Sequence, residues 1–476
     1  MSWQGNLSPT KPQKDHMLKD YKTIWIDTTD LMAWSGYFTG IQRVEYNLIT
    51  RFRQFDNVKF FALDHDVLLE IDFDVLEQEI EAETTRSDSE DEASIEPPLR
   101  SGPRRFAKRS LGKVARATPF VSIETAVKTY DTIAHQTKNV VGSARSKVEP
   151  SRDSRSDAIA AGSKGAIEFD TGDLVLVLGG NWHIDNYMQR LGRKLRRTNG
   201  ITFGHVIYDL IPAIRSNFFP ELIVEEFRRY IELVLEDAHV CFSISENTKS
   251  DAIDYASRMG ITPPPIHTFR LGDQINASES RAPSELTRSR SKGREKPDEF
   301  IFCPGTLEVR KNHQSLYHAY RLAAERGLKL PHLVIAGKLG WLSGDVVYQI
   351  RNDTLVRDSI TILTSCEDSE FAWLYSNSLF TVYPSLYEGW GLPVAESLQY
   401  GKLCVASNAS SIPEIGGDLV EYFSPDDTGE IMEKIFRFSS DRELLKKRQA
   451  QIEANYVPAN WDDAFNQVVG AINTLT

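Results

Sequence analysis

Cysteine is scarce in this chain: four residues in 476, Cys241, Cys303, Cys366 and Cys404, with no C-x-x-C pair. That spacing argues against a disulfide framework or a thiolate zinc site, and all but Cys366 lie in apolar strand-like runs, as buried reduced thiols do. No apolar run approaches the ~20 residues that span a bilayer as a helix. The opening MSWQGNLSPTKPQKDHMLKD is polar and does not read as a signal peptide. Excess positive charge is also missing: 55 Lys and Arg stand against 67 Asp and Glu, a net charge of −12. This balance speaks against generic nucleic-acid binding but leaves room for a local basic patch. The expectation is a soluble or peripheral cytoplasmic protein, at most resting on the cytoplasmic face of a membrane.

What is present is an alternation of short apolar runs and amphipathic segments over two stretches. Thr23 to Asp27, Val58 to Leu63, Leu174 to Leu178, Ile201 to Tyr208 and Val240 to Ser245 read as strands of a first domain, residues 21–281, which Pro264 to Leu271 closes. Residues 1–20 read as a disordered start. Residues 282–298, rich in Ser, Arg and Lys, read as a linker. A second domain, 299–454, carries strands at Glu299 to Cys303, Leu333 to Ala336, Ile360 to Leu363, Leu379 to Tyr383 and Lys402 to Ser407. Alternation of this kind is the mark of α/β folds with parallel sheets. Trp461, Phe465, Val468, Val469 and Ile472 recur at helical spacing in the tail 455–476.

The chain is organised around Leu379 to Ser407. A strand ends in the loop Glu388-Gly389-Trp390-Gly391, Leu392 follows, and Pro393 stands where a helix begins, with Gly401 where it ends. The loop therefore lies at the C-terminal end of a strand, where open α/β sheets bind ligands. Glu388 and Glu396 flank it with seven residues between them. Glu396 falls in the first helical turn, and Gly389 and Gly391 read as letting backbone approach a ligand closely. On spacing alone a solvated loop acid and an ordinary helix-cap acid explain the pair as well. A second such loop, Gly305-Thr306-Leu307-Glu308-Val309-Arg310-Lys311-Asn312, sets a guanidinium beside an ammonium at a helix N-terminus, the donors an anionic diphosphate requires.

Read together, these strings resemble the donor-binding signature of the retaining glycosyltransferases of family four, the group 1 transferases. The family's E-G-x-G-L-P-x-x-E-S-L-x-x-G is matched by Glu388-Gly389-Trp390-Gly391-Leu392-Pro393-Val394-Ala395-Glu396-Ser397-Leu398 and Gly401, and its diphosphate loop by Gly305 to Asn312. The resemblance implies a GT-B architecture, two Rossmann-like doubly wound α/β domains facing a cleft, with a C-terminal helix crossing back to the first domain. By the same resemblance Glu388 meets hydroxyls of the transferred sugar and Glu396 the ribose of the nucleotide. Arg310 and Lys311 neutralise the leaving diphosphate. Gly305, Gly389, Trp390, Gly391 and Leu392 complete the nucleotide-sugar site.

The first domain is matched more loosely. Gly40-Ile41-Gln42-Arg43-Val44 resembles a first-loop motif of members that build bacterial surface polysaccharides, and Arg43 reads equally as a functional cation or a solvated helix residue. Where relatives carry H-D-L-I-P, this sequence has Tyr208-Asp209-Leu210-Ile211-Pro212. Asp209 is retained as catalytic, while His183 and His205 are cleft candidates that read as readily as structural histidines. The implied reaction moves a hexose, mannose from GDP-mannose for preference, onto a saccharide or lipid-linked saccharide. It needs no metal and no cofactor, and no D-x-D triplet is assigned to hold one. A GT-B sugar-nucleotide epimerase and a non-catalytic nucleotide-sugar-binding assembly protein are the alternatives. Residues 77–165 match nothing. Glu77 to Glu96 is acidic, and Leu99 to Arg116 carries seven Lys or Arg and no acid, so the segment reads as a partly disordered insertion that either pairs with itself or meets an anionic membrane surface.

Overall fold

A computed structural model describes residues 18, 20–33, 40–78, 162–273, 280–283 and 299–475. Two compact units divide the chain: Met1–Leu31, Phe38–Leu68 and Ile167–Thr476 form one, Met32–Tyr37 and Leu69–Ala166 the other. Strand β3 (Val67–Ile71) runs into the second unit and β4 (Ser163–Ile167) leads out of it. In that unit Lys164 pairs with Asp72 at 3.1 Å. The expected insertion, 77–165, lies almost wholly outside the described residues, as do most of the expected linker and the loop 34–39.

The first unit holds two parallel sheets. The first contains β1 (Ile24–Asp27), β2 (Val58–Asp64), β5 (Leu174–Val177), β6 (Thr202–Ile207), β7 (Val240–Ser243) and β8 (Ile266–Thr268), side by side as β2-β1-β5-β6-β7-β8. Ile24 stands opposite both Val58 and Leu174, so β1 is a central strand. β1, β5 and β7 are buried along their whole length, as the unbroken apolar runs require when helices cover both faces. The second sheet contains β9 (Phe300–Pro304), β10 (His332–Ala336), β11 (Ile360–Leu363), β12 (Thr381–Tyr383), β13 (Cys404–Ser407) and β14 (Glu421–Phe423), in the order β11-β10-β9-β12-β13-β14.

These orders place the ligand crevices. In the first sheet the chain proceeds outward from β1 to β2 and returns to β5 on the other side. In the second it proceeds from β9 to β10 and β11, then returns to β12. Ligands bind where such an order reverses, outside the carboxyl ends of the strands. The loops after β9 and β12, 78 residues apart at Arg310 and Glu388, thereby become neighbours.

The helix Trp461–Ile472 packs on the first sheet's lobe. Phe465 meets Phe52 edge-on at 4.8 Å, Arg51 pairs with Asp462 at 2.7 Å, and Trp461 lies against Gly272.

Candidate donor site at the second sheet's switch point

The loop after β9 passes through Gly305, with φ at +128°, and a short 3-10 turn, Val309–Lys311. It ends at Asn312, in the left-handed region at φ 57°, before the helix His313–Glu325. The Asn312 amide donates to the carbonyls of Pro384 and Pro425 at 3.1 and 3.0 Å, and Leu386 N–H donates to Arg310 O at 2.9 Å. The two loops are stitched through backbone as well as side chains. Arg310 and Lys311 therefore point into one site.

Four charges meet there. Arg310 donates to Glu388 Oε2, to Glu308 Oε1 at 2.5 Å and to the carbonyl of Tyr387 at 3.1 Å. Lys311 Nζ donates to Glu388 Oε1 at 2.7 Å and to Tyr383 OH at 2.8 Å, and Tyr383 OH donates to the same carboxylate at 2.8 Å. Burial pushes the Glu388 carboxyl up, but the Arg310 and Lys311 cations outweigh it and bring it down to about 2. Burial also depresses the Lys311 ammonium, against the pull of Glu388. Two cations balance two carboxylates in a water-poor pocket, where charges interact more strongly than at the surface.

The Glu388 backbone is fixed independently. Its N–H donates to Ser410 Oγ at 2.8 Å, and Ser411 Oγ donates to the carbonyls of Glu388 and Trp390 at 2.9 and 2.8 Å. Trp390 is buried. Gly391 has φ at +130° beside Ile415, a conformation that excludes other residues. Gly389 is required by the protein's own packing. A Cβ there would collide with the Tyr208 carbonyl and lie 2.9 Å from Asp209 Cβ, so the glycine permits close contact with the first lobe.

Glu396, in the helix Leu392–Gln399, accepts from Tyr375 OH at 2.8 Å and pairs with Arg43 of the first lobe at 3.4 Å. Gly40 approaches Leu392 at the same seam. Burial raises the Glu396 carboxyl, with Tyr375 and Arg43 opposing. Asp209 is half-buried, accepts from Ile211 N–H at 2.9 Å, and lies in the fields of Arg310 and Glu388. Its carboxyl is pushed up by burial, with Arg310 pulling it back.

The two histidines part company. His205 is buried within β6, its Nε2 2.6 Å from Tyr230 OH and its Nδ1 2.7 Å from Val206 O, and burial lowers its pKa to about 4. It faces the core. His183 is partly exposed, with Nδ1 3.0 Å from Gly180 O and Nε2 3.4 Å from Asp30, whose other oxygen accepts from Gln42 and Gly180 N–H. Tyr208, in the place of the family histidine, donates to Leu178 O at 2.6 Å. Sequence reasoning missed Glu308, Tyr383 and Tyr387. Glu308 lay within the matched loop, while Tyr383 read as an apolar strand residue and gave no signal.

Two triplets do have D-x-D spacing, Asp64-His65-Asp66 and Asp72-Phe73-Asp74. Asp64 meets His65 at 2.9 Å, Asp66 pairs with Arg193 and Asp72 with Lys164. Among the described residues no group of three His, Cys, Asp or Glu is arranged to hold a metal ion, and no helix is long and apolar enough to cross a membrane.

Residues 285–456 match the family described as glycosyl transferases group 1. O-antigen chain mannosyltransferase B of Escherichia coli is 32% identical over 172 residues, 36% of this chain and 45% of that protein. The serotype-specific mannosyltransferase WbdA of Escherichia coli is 27% identical over 273 residues, 57% of this chain and 33% of that protein. The chain thus spans less than half the length of these two relatives. Among solved structures, Anabaena HepE in complex with UDP and glucose superposes with a TM-score of 0.53 at 12% identity, over 95% of this chain and 100% of that one. Sucrose-phosphate synthase from Thermosynechococcus elongatus gives 0.51 at 17% identity, over 95% and 99%. At such identities the likeness concerns fold alone. Residues 285–456 thus match the glycosyl transferases group 1 family, within a chain whose fold is GT-B.

Proposed function

We propose that the chain is a retaining glycosyltransferase that moves mannose from GDP-mannose onto a saccharide or lipid-linked saccharide acceptor during surface polysaccharide synthesis. The observation that carries the reading is the convergence of Arg310, Lys311 and Glu388 at the switch point. In the reaction, the bond between the sugar's anomeric carbon and the diphosphate oxygen breaks. The acceptor oxygen bonds to that carbon from the same face, and its proton passes to a diphosphate oxygen. Arg310 and Lys311 stabilise the charge that develops on the leaving group, an interaction preorganised by the contacts to Glu308 and Tyr383. Glu388 orients the sugar, Glu396 the ribose, and Asp209 the sugar or acceptor from the first lobe. No metal is required in this scheme. Mannose is supported by the two Escherichia coli relatives, both of them mannosyltransferases.

The test is release of GDP from GDP-mannose with and without a mannose-terminated oligosaccharide, with the product's anomeric configuration read by NMR. Acceptor-dependent release with an α-linked product, insensitive to EDTA, is expected. Release without acceptor, an inverted product, or EDTA inhibition rescued by Mn²⁺ would each overturn a named part of the scheme. Thermal-shift screening against GDP-, UDP- and dTDP-sugars checks the donor, since a ligand of the folded state raises the melting temperature.

A further inference from the structure

The outer flank of the donor loop is formed by the other lobe. The helix Glu246–Met259 follows β7, and Ser245 caps it by accepting from Thr248 N–H at 3.0 Å. The same hydroxyl donates to the carbonyl of Gly389 at 2.8 Å. Thr248 Oγ1 stands 3.3 Å from that carbonyl and 3.3 Å from the carbonyl of Tyr208. One turn on, Asp251 accepts from Tyr387 OH at 2.8 Å, and Asn247 Nδ2 lies 3.3 Å from the same hydroxyl. The Arg215 guanidinium covers the Tyr387 ring at 5.2 Å.

The reverse contact is as specific. Glu414, in the helix Ile412–Gly416 of the second lobe, accepts from the N–H groups of Glu246 and Asn247, both at 2.8 Å. These are first-turn donors that have no partner inside the helix, and a carboxylate there also meets the positive end of the helix dipole. Ser245 and Thr248 are fully buried. Within their own lobe they bond to each other and to the Tyr208 carbonyl, and the Gly389 carbonyl adds the contact that crosses to the other lobe. Gly389 has no room for a side chain because Tyr208 and Asp209 occupy it.

We infer that Ser245, Thr248 and Asp251 are positioning residues for the donor loop. They fix Tyr387 and Gly389 on either side of Glu388 from the first lobe, adding to the Ser410 and Ser411 contacts of the second, so that the donor loop is held on both flanks only in the closed molecule. The acceptor lobe thereby sets donor geometry without touching the donor. This inference rests on the glycosyltransferase reading for its kinetic consequence, but not for its structural one.

The experiment compares the full chain with Ser245→Ala/Thr248→Val, with Thr248→Ser, and with Gly389→Ala. In the double variant, deuterium uptake by the segment 385–391 should rise while uptake by β9 stays at the wild-type level. GDP binding, supplied by the second lobe, should stay within about threefold, and kcat on GDP-mannose should fall by roughly 10²-fold, the scale of a misplaced reacting group. Thr248→Ser keeps the hydroxyl and should restore both readouts; Gly389→Ala should reproduce the defect. Unchanged uptake at 385–391 would overturn the inference, as would a uniform rise in uptake across both lobes with GDP binding lost. A wild-type chain inactive on GDP-mannose would count against the donor assignment instead, and the uptake comparison would still decide the positioning role.

Discussion

Glu388 illustrates how one side chain can be both buried and charged. Its ordinary pKa of 4.5 falls to about 2, since Arg310 and Lys311 over-compensate for lost hydration. A lowered carboxylate pKa contributes stability that is complete above the unfolded value and is lost as pH falls from about 4.5 towards 2. Glu388 therefore stays ionised throughout the physiological range. Arg310→Ala, Lys311→Ala and Glu388→Ala should each lower turnover by roughly 10² to 10³-fold, the scale of removing one preorganised charge from a dry site. Steady-state kinetics checks this, and near-wild-type rates in all three would sink the donor-site assignment. His205 runs in the opposite sense to a surface histidine. Its pKa falls from 6.5 to about 4, so the unfolded chain takes up a proton before the folded one, and stability drops as pH falls from 6.5 towards 4. His205→Gln should abolish that part of the slope. The difference in melting temperature between wild type and variant should shift in favour of the variant between pH 7.5 and pH 5; a constant difference would contradict the assignment.

At the scale of elements, the fold depends on places where backbone needs room. Gly272 lies against the indole of Trp461, and a Cβ there would sit 2.5–2.7 Å from three ring atoms. Trp461 is buried at the head of the C-terminal helix, and the adjoining Asp273 accepts from Tyr456 OH at 2.6 Å and bonds Ala459 O through its N–H. The ring has nowhere to retreat. Gly272→Ala should destabilise the chain by about 1–3 kcal/mol through overpacking, seen as a lower melting temperature with GDP affinity retained. Retained melting temperature would mean that the terminal helix yields. The pair Arg43–Glu396, partly exposed on both sides, is by contrast worth little to stability, about 0.2–1 kcal/mol at most, so its weight is functional or nil.

On the scale of the whole molecule, the reversal of strand order in each sheet gathers residues from loops far apart in sequence. Membrane association is a separate matter. Residues 98–117 lie outside the described residues, and their seven basic side chains would each gain about 1 kcal/mol near an anionic leaflet. If they serve that purpose, the intact chain should co-sediment with phosphatidylserine liposomes in a salt-sensitive manner and a chain lacking 98–117 should not. Equal binding by both, or binding indifferent to salt, removes the membrane role.

Much of this protein was determined locally. Apolar runs marked most of the strands because strands such as β1, β5 and β7 are buried along their length and have no polar face to interrupt them, and the Pro393–Gly401 helix followed from its end residues. Arg310, Lys311 and Glu388 were legible because backbone turns at strand ends are specified by short strings. Short, half-polar elements such as β14 (Glu421–Phe423) left no such trace. What the tertiary structure alone decided were the pairings. Which face of β6 His205 occupies, why Gly389 must be glycine, and that Ser245 and Glu414 reach across to the opposite lobe all depend on partners more than a hundred residues away for the two cross-lobe contacts. A spacing rule describes the neighbours that the backbone brings together within a few residues; it carries no information about which distant surface a closed cleft will press against them.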